Sequence, residues 1–293
     1  METSELLKKV RKIEIKTRRL SRNIFAGEYH TAFKGRGMTF SEVREYQFGD
    51  DIRSIDWNVT ARFMRPYVKV YEEERELTVM LLVDVSQSNM FGTGENLKRD
   101  IMNEIAATLA FSAIQNNDKI GVIFFSDRIE KFIPPKKGRK HILYIIRELI
   151  DFQPVGQGTD IGLALKYFTN VIKKRCSAFI LSDFIAPSNY QDAASIANRK
   201  HDIVKLRIYD KRDKELPNVG LIKLKDAETQ QRIWTDTSDR KVRMLYKNNW
   251  EENVLNSQKI MTNAGIDSLD IEAGQDYVQL LLGLFRARNS RRN

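Results

Sequence analysis

Five oxygen-bearing side chains stand where they could act on one ion. Asp84-Val85-Ser86-Gln87-Ser88 follows an apolar run, Gly158-Thr159-Asp160 precedes a periodic apolar stretch, and Ser182-Asp183-Phe184 closes a third apolar segment. A small hard cation takes six oxygen ligands in near-octahedral geometry and keeps some of its waters. The hydroxyls of Ser86 and Ser88, two residues apart on one loop, can face such an ion from the same side. Thr159 offers a third hydroxyl, direct or through water, while Asp84 and Asp183 supply negative charge and orient bound waters. At least one coordination position stays open, and an incoming Asp or Glu carboxylate suits it because hydroxyls neutralise none of the cation's charge. Magnesium is the expected ion, with manganese or calcium as substitutes. The competing explanation is helix capping, since Ser and Asp after a strand, and Thr159 before a periodic run, are good N-cap residues. Order and spacing across three loops favour the metal.

For the three loops to meet, a sheet must gather their ends. From residue 76 onward the periodicity alternates between strand and helix. Strands are expected at 76–84, 119–125, 177–181, 202–209 and 268–271. Helices are expected at 95–115, 140–152, 160–174, 190–199 and 240–264, with a last one through Tyr277, Leu281 and Leu284. Nearly continuous apolar strands separated by helices specify an α/β fold with a doubly wound, mostly parallel sheet covered on both faces. In such sheets ligands gather beyond the carboxyl ends of the strands, where all three loops lie.

Two segments break this rhythm. Residues 23–75 contain glycines at 27, 35, 37 and 49 and short alternating runs such as Tyr67–Tyr71, and residues 219–236 read as a β-hairpin around a polar 226–230 turn. The expected organisation is an N-terminal helix and accessory β-rich block over 1–75, then the α/β domain over 76–293 with the hairpin inserted. The block and the hairpin are expected to form one appendage beside the sheet.

Composition removes several classes of function. The single cysteine, Cys176, excludes an intrachain disulfide, and with three scattered histidines it excludes cysteine-rich zinc modules. The longest apolar runs, 77–83 and 278–285, are far short of a membrane span. Residues 1–10 lack an apolar signal core, so a cytoplasmic protein, with peripheral membrane contact as the variant, is expected. No Walker motif occurs, and Gly156-Gln157-Gly158…Gly162 has the wrong spacing for a dinucleotide loop. The net charge of +10 comes almost wholly from the ends, where residues 1–22 hold eight bases against three acids and residues 286–293 hold four arginines and no acid. Nucleic acid is not the expected partner, because no aromatic is interleaved with these bases to stack on nucleotides. Asp50, Asp51 and Asp56, beside Arg53 and Arg62, are expected to form ion pairs joining the N-terminal block to the core rather than a second metal site. Tyr46 and Trp57 are expected as packing anchors.

Asp-x-Ser-x-Ser with a distant Thr and a distant Asp resembles the metal-ion-dependent adhesion site of von Willebrand factor A domains. Further motifs are Gly27-Glu28-Tyr29-His30, Gly35-Arg36-Gly37-Met38-Thr39-Phe40, Arg44-Glu45-Tyr46, Gly49-Asp50-Asp51-Ile52-Arg53, Ile55-Asp56-Trp57 and Ala61-Arg62. Together these resemble a bacterial family described as domain of unknown function number fifty-eight, in which such a block runs into a von Willebrand A core. All five metal-site positions match. The resemblance implies a metal-dependent protein–protein interaction module, an adaptor for a MoxR-type AAA+ ATPase, linked in some bacteria to aerotolerance and without enzymatic activity of its own. On that reading, alanine at Ser86 or Asp183 abolishes metal-dependent partner binding with little loss of stability. Two alternatives are a phosphohydrolase of haloacid-dehalogenase type, which lacks its acid/base carboxylate where Ser86 stands, and nucleic-acid binding through the basic termini.

Overall fold

The computed structural model describes residues 39–72, 77–92, 97–186, 188–225 and 231–291. The expected N-terminal helix, the motifs over 27–38 and the 226–230 turn lie outside them. Two compact units are present, Thr78–Asn293 within the larger and Lys34–Leu77 as the smaller.

In the larger unit six strands form one sheet. They are β3 (Thr78–Asp84), β4 (Lys119–Phe125), β5 (Ile129–Lys136), β6 (Ser177–Ser182), β7 (Asp202–Tyr209) and β10 (Asp267–Glu272), in the spatial order β10-β7-β6-β3-β4-β5. Every pairing is parallel except β4 with β5. Counted along the chain this is the 3-2-1-4-5-6 order of doubly wound sheets, whose winding reverses between the first and fourth strands, here β3 and β6. Val79 to Asp84 in β3 and all of β6 are buried, as expected of central strands covered on both faces.

Helices α2 (Lys98–Gln115), α3 (Arg139–Asp151), α4 (Ile161–Val171), α5 (Gln191–Lys200), α7 (Arg240–Asn263) and α8 (Tyr277–Ser290) alternate with the strands, and a single turn, α6 (Lys211–Lys214), follows β7. One face of the sheet packs Met80, Leu82, Ile123 and Ile180 against Ile161, Leu165 and Phe168 of α4 and Ala194 and Ala197 of α5. Burying each large aliphatic here contributes about 1.5–3 kcal/mol. The last helix is also held by charge, with Arg288 paired to Asp202 and, at 2.9 Å, to Asp267, while Arg291 reaches Asp267 at 3.0 Å. These two arginines are therefore structural ties and not part of a free basic tail.

The sequence offered no strand at β5. Its antiparallel direction follows from the short Ser126–Arg128 connection, which cannot accommodate a crossover. Pro134 and Pro135 lie in it because an edge strand tolerates a missing N–H. Gly121 of β4 lies so close to β5 that an added Cβ would sit 2.8 Å from both the Ile133 carbonyl oxygen and the Pro135 nitrogen.

The hairpin, β8 (Leu221–Lys225) with β9 (Arg232–Asp236), and the pair of β1 (Thr39–Glu45) with β2 (Tyr67–Glu72) are separate two-stranded sheets. Among the described residues the two pairs do not share a sheet. The base of β8–β9 is closed locally where the Thr237 N–H and hydroxyl both donate to the Gly220 carbonyl at 2.9 and 2.7 Å. The hairpin belongs to the larger unit and β1–β2 to the smaller.

In the smaller unit a short helix, α1 (Trp57–Phe63), is N-capped by Asp56, which also pairs with Lys69 at 3.5 Å. Asp50 accepts two hydrogen bonds of 2.8 Å from Arg44, and Asp51 caps the 3-10 turn Ile52–Ser54. These three acids find partners within residues 44–69. Trp57 is 68% exposed, so it does not serve as the packing anchor expected.

Cys176 and His201 are buried together at the end of α5, with Sγ 3.4 Å from Nδ1 and the imidazole 4.4 Å from the Phe168 ring. Burial, reinforced by the charges of Lys200 and Arg175, lowers the His201 pKa to about 4 from 6.5, and burial pushes the Cys176 thiol up to about 12. The unfolded chain therefore binds a proton at His201 that the folded chain refuses between those two pH values. Stability should fall as pH drops from about 6.5 toward about 4. In His201→Gln the slope of unfolding free energy against pH in that window should flatten by about one proton, measured by urea denaturation.

Candidate metal centre

The ends of β3 and β6 straddle the point where the winding reverses, and Asp84 and Asp183 stand there. Asp84 is 2% exposed; its Oδ1 accepts from the Ser86 N–H at 2.9 Å and its Oδ2 from the Ser182 hydroxyl at 2.6 Å. Burial first, then the negative charge of Asp183, push its pKa up to about 6 in spite of those hydrogen bonds. Two carboxylates in a buried place make a region that is short of positive charge.

The Ser86 and Ser88 hydroxyls lie 3.0 Å apart, and Asn89 Nδ2 braces Ser86 Oγ and the Asp84 carbonyl at 3.2 Å each. Neighbouring corners of an octahedron with bonds of about 2.1 Å are about 3 Å apart, so this pair matches two adjacent ligand positions. The Gln87 N–H donates to the Gln157 carbonyl at 3.4 Å, linking the serine turn to the loop that carries Thr159. That loop is held from below by Glu130, whose Oε1 accepts from Ser126 Oγ and from the N–H groups of Val155 and Gly156. Gly156 lies close against Ser126 and Asp127, whose side-chain oxygens a Cβ there would displace.

Capping fails as an explanation of the hydroxyls. Asp160, not Thr159, caps α4, accepting from the Leu163 N–H at 2.9 Å. Thr159 is buried with its Oγ1 unpartnered. Ser86 precedes the 3-10 turn Gln87–Met90 without a side-chain capping bond. An unpartnered buried hydroxyl is costly unless something else engages it. Among the described residues no three His, Cys, Asp or Glu side chains form a metal cluster, so the set depends on hydroxyl donors suited to a hard ion.

Sequence reasoning missed the residues that support these five. Ser182 adjoins Asp183 and could have been noticed as a hydroxyl beside the acid. Lys98 gave no signal: it opens α2 and is 1% exposed, with Nζ 3.0 Å from both Asp183 Oδ2 and Asp213 Oδ2. Burial opposes its charge, but the two carboxylates outweigh burial and hold the ammonium above its ordinary pKa. Asp183 also accepts from the Ile185 N–H at 3.2 Å, and Phe184 between them takes a left-handed φ of 58°.

The family model described as "Protein of unknown function DUF58" matches residues 42–255. The chain belongs to this family. Within the span of this DUF58 match lie all five candidate ligands. An uncharacterized protein of Mycobacterium tuberculosis, Rv1480, is 31% identical over 222 residues, covering 75% of this chain and 70% of its own. The crystal structure of an aerotolerance-related membrane protein from Bacteroides fragilis covers 73% of this chain and 99% of its own, with a TM-score of 0.52 at 15% identity, which is a likeness of fold. The VWA domain of SpRpn10 covers 70% of this chain and 94% of its own, with a TM-score of 0.44 at 11% identity. The fold of this DUF58 protein, an α/β sheet that is parallel in every pairing but one, is the fold it shares with the Bacteroides fragilis protein. Among the described residues no helix is long and apolar enough to cross a membrane.

The expectation that Asp183 can be truncated without harm is corrected by the ion pair. Asp183→Ala removes one partner of a buried ammonium and should cost about 3 kcal/mol. Ser88→Ala, which loses only the bond to Ser86, should cost under about 0.5 kcal/mol. Chemical denaturation of both variants checks the contrast; equal midpoints would contradict the buried pair.

Proposed function

We propose that this chain is a metal-dependent protein–protein interaction module. In this reading a magnesium ion is held by the Ser86, Ser88 and Thr159 hydroxyls, with Asp84 and Asp183 supplying the compensating charge, and manganese or calcium can substitute. A bound ion would offer an open coordination position to an Asp or Glu carboxylate of a partner. The observation that carries the reading is the Thr159 hydroxyl, buried and unpartnered on a loop that Gln157 joins to the serine turn, whose two hydroxyls are spaced as adjacent ligands. The family resemblance suggests a MoxR-type AAA+ ATPase as the partner, met in the cytoplasm or at the membrane surface. An enzymatic role is disfavoured, because Asp84 is buried with both oxygens engaged, and such a carboxylate is poorly placed to attack a phosphoester.

Ser88→Ala is the discriminating variant because it removes a ligand and leaves the carboxylates and Lys98 in place. In a pull-down from a lysate of the source cells, wild type with magnesium should recover an AAA+ ATPase or another protein identified by mass spectrometry. Chelator, or Ser88→Ala, should abolish that recovery. Equal recovery from all three samples would sink the metal-gated reading.

A further inference from the structure

The buried ammonium of Lys98 contacts Asp183, one of the five candidate ligands, and shares itself with an acid outside the set. Asp213 lies on α6, where its Oδ2 accepts from Lys98 Nζ at 3.0 Å and from the Asp210 N–H at 2.8 Å. Asp183 Oδ2 accepts from the same Nζ at 3.0 Å. A fixed positive charge in direct contact with Asp183 does part of what a divalent ion would do. It also repels such an ion, and in a poorly hydrated place that repulsion is weakly screened.

We infer that Lys98 is a tethered cation that competes with the divalent ion for Asp183 and so sets the ion affinity of the site. The inference rests on the metal reading above. Without an ion, Lys98 divides its charge between Asp183 and Asp213 and keeps the two acids compatible with burial. With an ion present, Asp183 turns its charge toward the metal and Lys98 is left with Asp213. The helical turn carrying Asp213 thereby experiences whether the site is filled, through a side chain that itself touches no partner. Its neighbour Arg212 accepts the Tyr246 hydroxyl of α7 at its carbonyl at 3.0 Å, so the turn is joined to the long helix that follows the β8–β9 hairpin. Lys98 is a positioning residue in this scheme.

The scheme makes two variants move in opposite directions. Lys98→Met removes the competitor and should bind manganese at least about tenfold tighter than wild type, the repulsion between like charges being lost. Its melting temperature without divalent ions should fall, because Asp183 and Asp213 lose their shared counter-charge, and should recover more than that of wild type when manganese is added. Asp213→Asn leaves Lys98 to Asp183 alone and should bind manganese several-fold more weakly. Isothermal titration with manganese, with circular dichroism to verify the fold, reads all three proteins. Binding by wild type with no tightening in Lys98→Met, or no weakening in Asp213→Asn, overturns this inference and leaves the metal reading standing. No ion binding by any of the three overturns both. If Lys98→Met does not fold, the direction of the change in Asp213→Asn decides.

Discussion

The hydrogen bond from Ser182 to Asp84 crosses the one place in the sheet where the winding reverses. Strands β3 and β6 are hydrogen-bonded neighbours, yet the helices that follow them leave toward opposite faces of a doubly wound sheet, which opens a crevice above their carboxyl ends. A carboxylate there would ordinarily be solvated. Asp84 instead is buried and depends on donors supplied by its surroundings, the Ser182 hydroxyl among them. Fixing that carboxylate fixes the start of the Ser86–Ser88 turn, since the Ser86 N–H bonds its other oxygen. The placement of the hydroxyls is therefore a consequence of how one acid is kept under the surface.

Two buried lysines show how far the local charge balance governs this end of the sheet. Lys98 has carboxylates on two sides and stays firmly charged. Lys205, on β7, has no carboxylate in contact among the described residues; burial lowers its pKa to about 8, and it donates to Ser257 Oγ at 2.6 Å with the Phe184 ring 4.6 Å away. The same side chain type is a strong cation in one place and a weak one in the other. The difference lies in the acids within reach, not in depth alone. Phe184, which covers Lys205, directly follows the acid that Lys98 holds.

Most of the α/β core was legible because central strands announce themselves. Nearly uninterrupted apolar runs such as 79–83 and 120–125 have nowhere to go but a doubly covered sheet, and the structure places strands over both. β5 was not legible, since paired prolines argue against a strand unless its edge position is already known. Within the candidate centre, the residue types at 84, 86, 88, 159 and 183 were visible as a pattern, and so was the competing capping explanation. Sequence could not choose between them, because the choice depends on Asp160 taking the cap and leaving Thr159 unpartnered. Lys98 was invisible for another reason: its partner Asp183 is 85 residues away, and a lysine opening a helix normally points to water.

The two borders of the sheet have a consequence for how this molecule can be approached. An exposed strand edge invites a neighbour to extend the hydrogen-bond ladder, and proteins guard against that growth. On the β5 side, Pro134 and Pro135 interrupt the row of N–H donors. On the β10 side the outermost strand carries Asp267, Asp270 and Glu272 within six residues. A chain seeking to lengthen the sheet would meet missing donors at one border and, at the other, acids already tied to arginines, Asp267 to Arg288 and Arg291 and Asp270 to Arg207, which turns recognition away from backbone pairing and toward the side chains at the strand ends.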